Sequence, residues 1–171
     1  MYFADESGFS LTPCIPYGWQ PKGEYIRMTP QRSQITNVFG LLSRDNTFEA
    51  YTTEQSINAE ALIAVVDDFA KRIIQPTVIV LDNSPVHRSE AFESNIPRWQ
   101  EEDIYIFFLP KYSPHLNLIE TLWRKIKYEW LKPHHYLNRE TLLNALNDIL
   151  IKIGHELTVN FKEQKMSIIF D

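Results

Sequence analysis

Residues 77–85 read Thr77-Val78-Ile79-Val80-Leu81-Asp82-Asn83-Ser84-Pro85. Five apolar or β-branched side chains run without alternation and stop at a carboxylate followed by turn-forming residues. A strand that alternates has one wet face. A strand that does not is covered on both faces, which is the habit of parallel strands with helices on either side. Residues 104–109 (Ile-Tyr-Ile-Phe-Phe-Leu), closed by Pro110, predict a second buried strand. Between the two, residues 90–102 predict a helix interrupted near Pro97. Upstream, Leu62, Val65, Val66, Phe69 and Ile73 recur at three- and four-residue spacing, which predicts an amphipathic helix over 58–74 that Pro76 prevents from continuing.

Further upstream, residues 34–43 and 47–53 predict a hairpin around Ser43-Arg44-Asp45-Asn46. Residues 12–23 hold three prolines and two glycines and read as a loop. Met1 to Ala4 predicts a short strand that runs directly into Asp5-Glu6. Downstream, Ser113-Pro114 has the form of an N-cap followed by proline at the first helical position, with the helix running to about Leu131. A last helix over 139–153 is ended by Gly154, and 155–171 forms a tail with no assigned structure. A hairpin followed by β-α units predicts an α/β mixed sheet with helices on both sides, in one domain over 1–154.

Composition narrows the class. Of 171 residues, 44% are hydrophobic and 23% charged, close to the globular average, so neither disorder nor a fibrous repeat describes the chain. A single cysteine, Cys14, excludes an internal disulfide and a multi-cysteine zinc site. His134 and His135 are adjacent and are expected to diverge on regular structure, against a histidine zinc site. No apolar run approaches the roughly 20 residues of a membrane span, and no signal peptide is legible, so a cytoplasmic protein is expected. With 17 Lys+Arg against 22 Asp+Glu the net charge is −5, which by itself disfavours a dedicated nucleic-acid binder.

The predicted buried strands end in acids. Asp5 closes or nearly closes the first, and Asp82 follows 77–81 directly. Ligand-binding groups of open α/β sheets collect at the carboxyl ends of strands. Two acids at one sheet edge repel each other, and a divalent cation is the usual means of keeping both ionised. Glu120 sits beside the stripe Leu116, Ile119, Trp123, Ile126 and Trp130, with Arg124 and Lys127 on its own face. Blander roles stay open for each acid taken alone: Asp82 as a turn cap, Glu120 as an i,i+4 partner of Arg124, Asp5 as a solvated strand end.

Three stretches carry a resemblance. Phe3-Ala-Asp-Glu-Ser-Gly-Phe9, Val80-Leu-Asp-Asn-Ser-Pro-Val-His87, and Leu109-Pro-Lys-Tyr-Ser-Pro-His-Leu-Asn-Leu-Ile-Glu-Thr-Leu-Trp123 with Lys125 and Lys127 resemble, in order, the three motifs of the DDE transposases of the bacterial insertion-sequence type related to Tc/mariner elements. The likeness covers roughly residues 1–132, and Tyr17-Gly-Trp-Gln-Pro-Lys-Gly23 is similar to the family's loop after the first motif. Leu118 stands where the family commonly has proline, a change expected to loosen entry into the helix.

The resemblance implies an RNase H-like, retroviral-integrase-like fold, and a DDE superfamily endonuclease that cleaves DNA strands and transfers them during transposition. It implies Asp5, Asp82 and Glu120 as catalytic and metal-binding residues, two Mg²⁺ (or Mn²⁺) ions per site, and Glu6, Asn83, His87 and Asn117 as supporting positions around them. Trp19, Lys22, Lys111, Arg124, Lys125 and Lys127 are candidate DNA contacts. The implied partners are the transposon ends and target DNA, a second copy as a homodimer, and an upstream helix-turn-helix domain or subunit. Because no such domain precedes Asp5, the chain reads as the catalytic half alone, which softens the charge objection. An inactive remnant of the same fold and a cellular RNase H-like nuclease are the competing readings.

Overall fold

A computed structural model describes residues 1–14, 21–23, 34–111 and 113–161. The uninterrupted apolar runs become the middle and one edge of a five-stranded mixed sheet. Its strands are β1 (Tyr2–Phe9), β2 (Thr36–Ser43), β3 (Phe48–Thr53), β4 (Thr77–Leu81) and β5 (Ile104–Phe108), in the order β3-β2-β1-β4-β5. β1, β2 and β3 form an antiparallel meander, while β4 joins β1 and β5 joins β4 in parallel. The β2–β3 turn needs one residue of positive φ and takes it at Asn46 (φ 68°), a residue type that tolerates this region.

Strand alternation divides the core into two layers. On one face, Ala4, Phe39, Leu41, Ile79, Leu81 and Ile104 meet Leu62, Val66 and Phe69 of α1 (Ala59–Ala70), Phe92 of α2 (Glu90–Glu93) and Trp99 of α3 (Ile96–Glu101). On the other, Phe3, Phe9, Val38, Leu42 and Val80 meet α4 (Ile119–Lys125) and α5 (Arg139–Lys152). The sheet is therefore sandwiched by helices, as the sequence predicts. Asn58 caps α1 and Asn138 caps α5 through side-chain oxygens that accept from Ala61 and Thr141 N–H groups.

Three local expectations are corrected. β1 does not stop at Ala4: it continues to Phe9 because β2 pairs with it throughout, from Tyr2↔Ser43 to Phe9↔Thr36. The helix predicted from Pro114 is broken. Pro114–Leu116 is a short 3₁₀ turn with no side-chain cap from Ser113, Asn117 is extended (φ −85°, ψ 103°), and α4 begins at Ile119. The cause is tertiary: Asn117 is buried, and its Nδ2 donates to the Ala4 carbonyl at 3.1 Å, which pins the chain across β1 before the helix can start. Beyond α4 the coil widens into a π turn over Ile126–Trp130. Finally, the His134 and His135 rings meet at 4.1 Å on a 3₁₀ turn instead of diverging.

Past α5, Gly154 takes a positive φ (86°), Ile153 bridges to Leu157, and Val159 is buried in the α4–α5 core, where Asn46 bonds its backbone. No helix among the described residues is long and apolar enough to cross a membrane.

Candidate active site

Backbone register brings the first two acids together. Tyr2 pairs with Ile79 and Phe3 with Val80 in the parallel ladder. Continuing that register two residues sets Asp5 level with Asp82, where β4 has ended but β1 still runs on against β2. Asp5 lies opposite Gly40 of β2. A Cβ at Gly40 would stand 2.8 Å from ring atoms of both Phe48 and Trp123, so the glycine is what lets Trp123 of α4 lie down on the sheet beside Asp5. α4 thereby delivers Glu120. Asp5, Glu6, Ser7, Gly8, Glu120, Trp123, Arg124, Lys127 and Tyr128 line one open hollow.

Asp82 opens on a second hollow with Asn83, Ser84, Pro110, Lys111 and Ser113. Its Oδ1 accepts from Ser84 N–H at 2.9 Å and contacts His87 Nδ1 at 2.6 Å. Asn83 ties the end of β4 to β5 by donating from Nδ2 to the Leu109 carbonyl, and Leu109 N–H returns a bond to Leu81 O at 2.8 Å. His87 is fully buried. Its Nε2 stands 3.3 Å from Glu6 Oε2, near enough to attract but off-line for a hydrogen bond, and neither atom has another hydrogen-bond partner among the described residues.

The electrostatics are those of crowded acids. The Asp5 carboxyl is pushed up to about 8, first by burial and then by the charges of Glu6, Glu120 and Asp82. For His87, burial opposes the charged form, but Glu6 and Asp82 outweigh it and raise the imidazole above its ordinary value. Glu120 makes no ion pair with Arg124 among the described residues, so the bland role open to it in the sequence is not taken up.

Among the described residues, no three acidic or histidine side chains converge into a ready-made cage. The acids share a sheet edge and a field, not a common point of coordination. The chemistry of the set nevertheless fits a hard cation. It offers carboxylate oxygens, and burial first, then the charges of Glu6, Glu120 and Asp82, raise the Asp5 carboxyl. Mg²⁺ takes only one or two protein carboxylates beside water and substrate phosphate, so a closed cage is not required.

A family profile described as DDE superfamily endonuclease matches residues 1–143. The chain belongs to that family. A DDE superfamily endonuclease with this sheet has an RNase H-like catalytic fold, and its likeness to solved structures agrees. Over 160 residues, 91% of this chain, it is 22% identical to an insertion element IS630 uncharacterized 39 kDa protein of Shigella sonnei, and it covers 43% of that protein. It superposes with a TM-score of 0.62 and 14% identity on a chain of the simian T-cell lymphotropic virus intasome in complex with a PP2A regulatory subunit, covering 94% of this chain and 50% of that one. The Mos1 mariner paired end complex with Mn matches with a TM-score of 0.53 and 15% identity, over 88% of this chain and 47% of that one. The chain thus spans about half the length of these relatives or less.

The other candidate residues of this DDE family member fall in different places. Arg124 and Lys127 face the Asp5–Glu120 hollow, with the Lys127 ammonium also 5.2 Å above the Phe9 ring. Lys111 lies at the Asp82 hollow. Lys125 turns away to pair with Glu129 at 2.9 Å, and Lys22 is exposed. Trp19 lies outside the described residues. The turn-capping role open to Asp82 is taken up, since its Oδ1 accepts from Ser84 N–H, whereas Gly40 has no role in the sequence reading. An isolated glycine inside a β-branched strand is the available signal for Gly40.

Proposed function

We propose that this chain is the catalytic part of an insertion-sequence transposase that cleaves DNA strands and joins the freed 3′ ends to target DNA with Mg²⁺ or Mn²⁺. On this reading Asp5, Asp82 and Glu120 hold two ions. The observation that carries it is the Asp5 carboxyl, driven to about 8 by burial and three neighbouring acids. Such crowding costs stability unless a cation answers it. The IS630 relative is an insertion-element protein, and the Mos1 neighbour is a mariner paired end complex with Mn, in line with this reading.

Divalent ions held by Asp5, Asp82 and Glu120 would supply Lewis acidity for in-line attack by water or a 3′-hydroxyl and for the charge on the leaving oxygen. The protein's share is placement. Asp5 and Asp82 are set level by the strand ladder, and Glu120 is set by α4 and the contact of Trp123 over Gly40. Arg124, Lys127 and Lys111 border the two hollows, where they suit phosphate oxygens. The tie from Asn117 to Ala4 O steadies α4 against the strand that bears Asp5. A second copy of the chain and a helix-turn-helix unit that reads the element ends complete the proposed assembly.

Calorimetry with Mn²⁺ tests the site. The wild-type chain is expected to bind at micromolar to millimolar Kd, and Asp82→Asn to abolish or strongly weaken binding. Equal binding by both proteins sinks the assignment.

A further inference from the structure

His87 is the most deeply enclosed polar side chain near the acids, at 0% exposure, and it borders neither hollow. Its ring is wedged between Phe39 and Phe92, with centroids at 6.4 and 6.5 Å, both of them core residues. It therefore cannot approach a substrate. What it touches is two carboxylates. Glu6 follows Asp5 in sequence and borders the same hollow, but its side chain leaves the strand on the opposite side of the sheet. Side chains of a strand alternate, so Glu6 shares the face of Ala4 while Asp5 shares that of Phe3. Glu6 reaches beneath the sheet to His87 Nε2, and His87 Nδ1 contacts Asp82 Oδ1 at 2.6 Å.

That same oxygen accepts from Ser84 N–H, so Oδ1 is committed twice. No hydrogen bond among the described residues reaches Oδ2, and the Asp82 side chain is 45% exposed. A carboxylate gripped through one oxygen loses its freedom to rotate and offers the other in a fixed direction. Groups that orient a metal-binding side chain in this way commonly govern affinity by about 10–100-fold.

We propose that Glu6 and His87 form a strut, buried at the imidazole and at Glu6 Oε2, that orients Asp82, committing Oδ1 to the protein and presenting Oδ2 for the cation. The inference rests on the metal reading above. Glu6 Oε2 is then committed to the protein despite its place beside Asp5, and His87 is a positioning residue.

The test compares Mn²⁺ affinity, read from the electron paramagnetic resonance of free Mn²⁺, in wild type, His87→Ala, His87→Asn and His87→Gln. Asparagine places an amide nitrogen near the position of Nδ1, whereas glutamine places it near Nε2. Ala and Gln are expected to weaken binding by about 10–100-fold, and Asn to restore it to within about threefold of wild type. A role limited to filling space predicts no such ordering. Unchanged affinity in a folded His87→Ala, or Asn no better than Ala, overturns the strut alone. A wild-type chain that binds no Mn²⁺ overturns the metal reading and the strut together. Should the variants fail to fold, wild-type protein labelled with ¹⁵N-histidine decides: Mg²⁺ is expected to shift the His87 ring nitrogens, and an unmoved His87 while neighbouring amides shift overturns the strut.

Discussion

Asp5 is an acid that the fold makes hold its proton. Its carboxyl is raised to about 8 by burial and by Glu6, Glu120 and Asp82, while the unfolded chain releases the same proton near 3.8. The stability this contributes is fully present below the unfolded value and is lost as pH rises through the folded one. Without metal, thermal unfolding is therefore expected at a lower temperature at pH 8 than at pH 5, and Asp5→Asn should flatten that slope. A slope as steep in Asp5→Asn as in wild type would remove Asp5 as its source. By the same linkage, Mg²⁺ binding near pH 7 should release close to one proton, visible as a buffer-dependent binding heat. The acids themselves were legible in the sequence, because each sits at the end of an apolar run or beside a helical stripe. Their environment was not. Which neighbours crowd Asp5, and that Glu6 turns to the other face to meet His87, depend on strand pairing and on a ring buried between Phe39 and Phe92.

At the scale of elements, α4 positions the third acid, and two features set it. Gly40 permits Trp123 to touch the sheet, and Asn117 stops the chain from coiling until Ile119. Gly40→Ala would drive a methyl group into Phe48 and Trp123, so α4 must lift. Overpacking of this kind costs about 1–3 kcal/mol, and here it should also weaken Mn²⁺ binding, because Glu120 rides on the same helix. Thermal unfolding and calorimetry on one sample measure both; a loss of stability with intact Mn²⁺ affinity would uncouple the helix from the site. Most elements were readable from periodicity: α1, α5, β4 and β5 fall where the apolar spacing sets them. The helix start was misplaced because Ser113-Pro114 satisfies every local rule for a cap, and a single long-range bond from Asn117 overrides it. The length of β1 was underestimated for a related reason. Asp5-Glu6-Ser7 has no strand signature alone and is held extended by β2.

For the molecule as a whole, the net charge of −5 sits uneasily with a DNA substrate. Among the described residues, the basic groups facing the hollows are few: Arg124 and Lys127 at one, Lys111 at the other. Phosphate contacts carry most non-specific affinity, so this chain alone is expected to bind duplex DNA weakly, with little preference for the ends of an element. A gel shift at physiological salt should show no discrete complex at nanomolar protein, and tight selective binding to an inverted repeat would contradict the division of labour proposed above. The mixed sheet and its two helical layers were foreseeable from the hairpin-then-β-α order, since few topologies accommodate it. The two-sided core follows from the same pattern.

The pairing of β1 with β4 has one more outcome. The first aspartate belongs to β1, the second follows the end of β4 more than seventy residues later, and the glutamate belongs to a helix later still. No contiguous stretch of polypeptide carries the trio. On the proposed reading, the site exists only once β4 has docked beside β1 and α4 has settled over Gly40, so a fragment lacking any one of these elements is expected to bind no Mn²⁺.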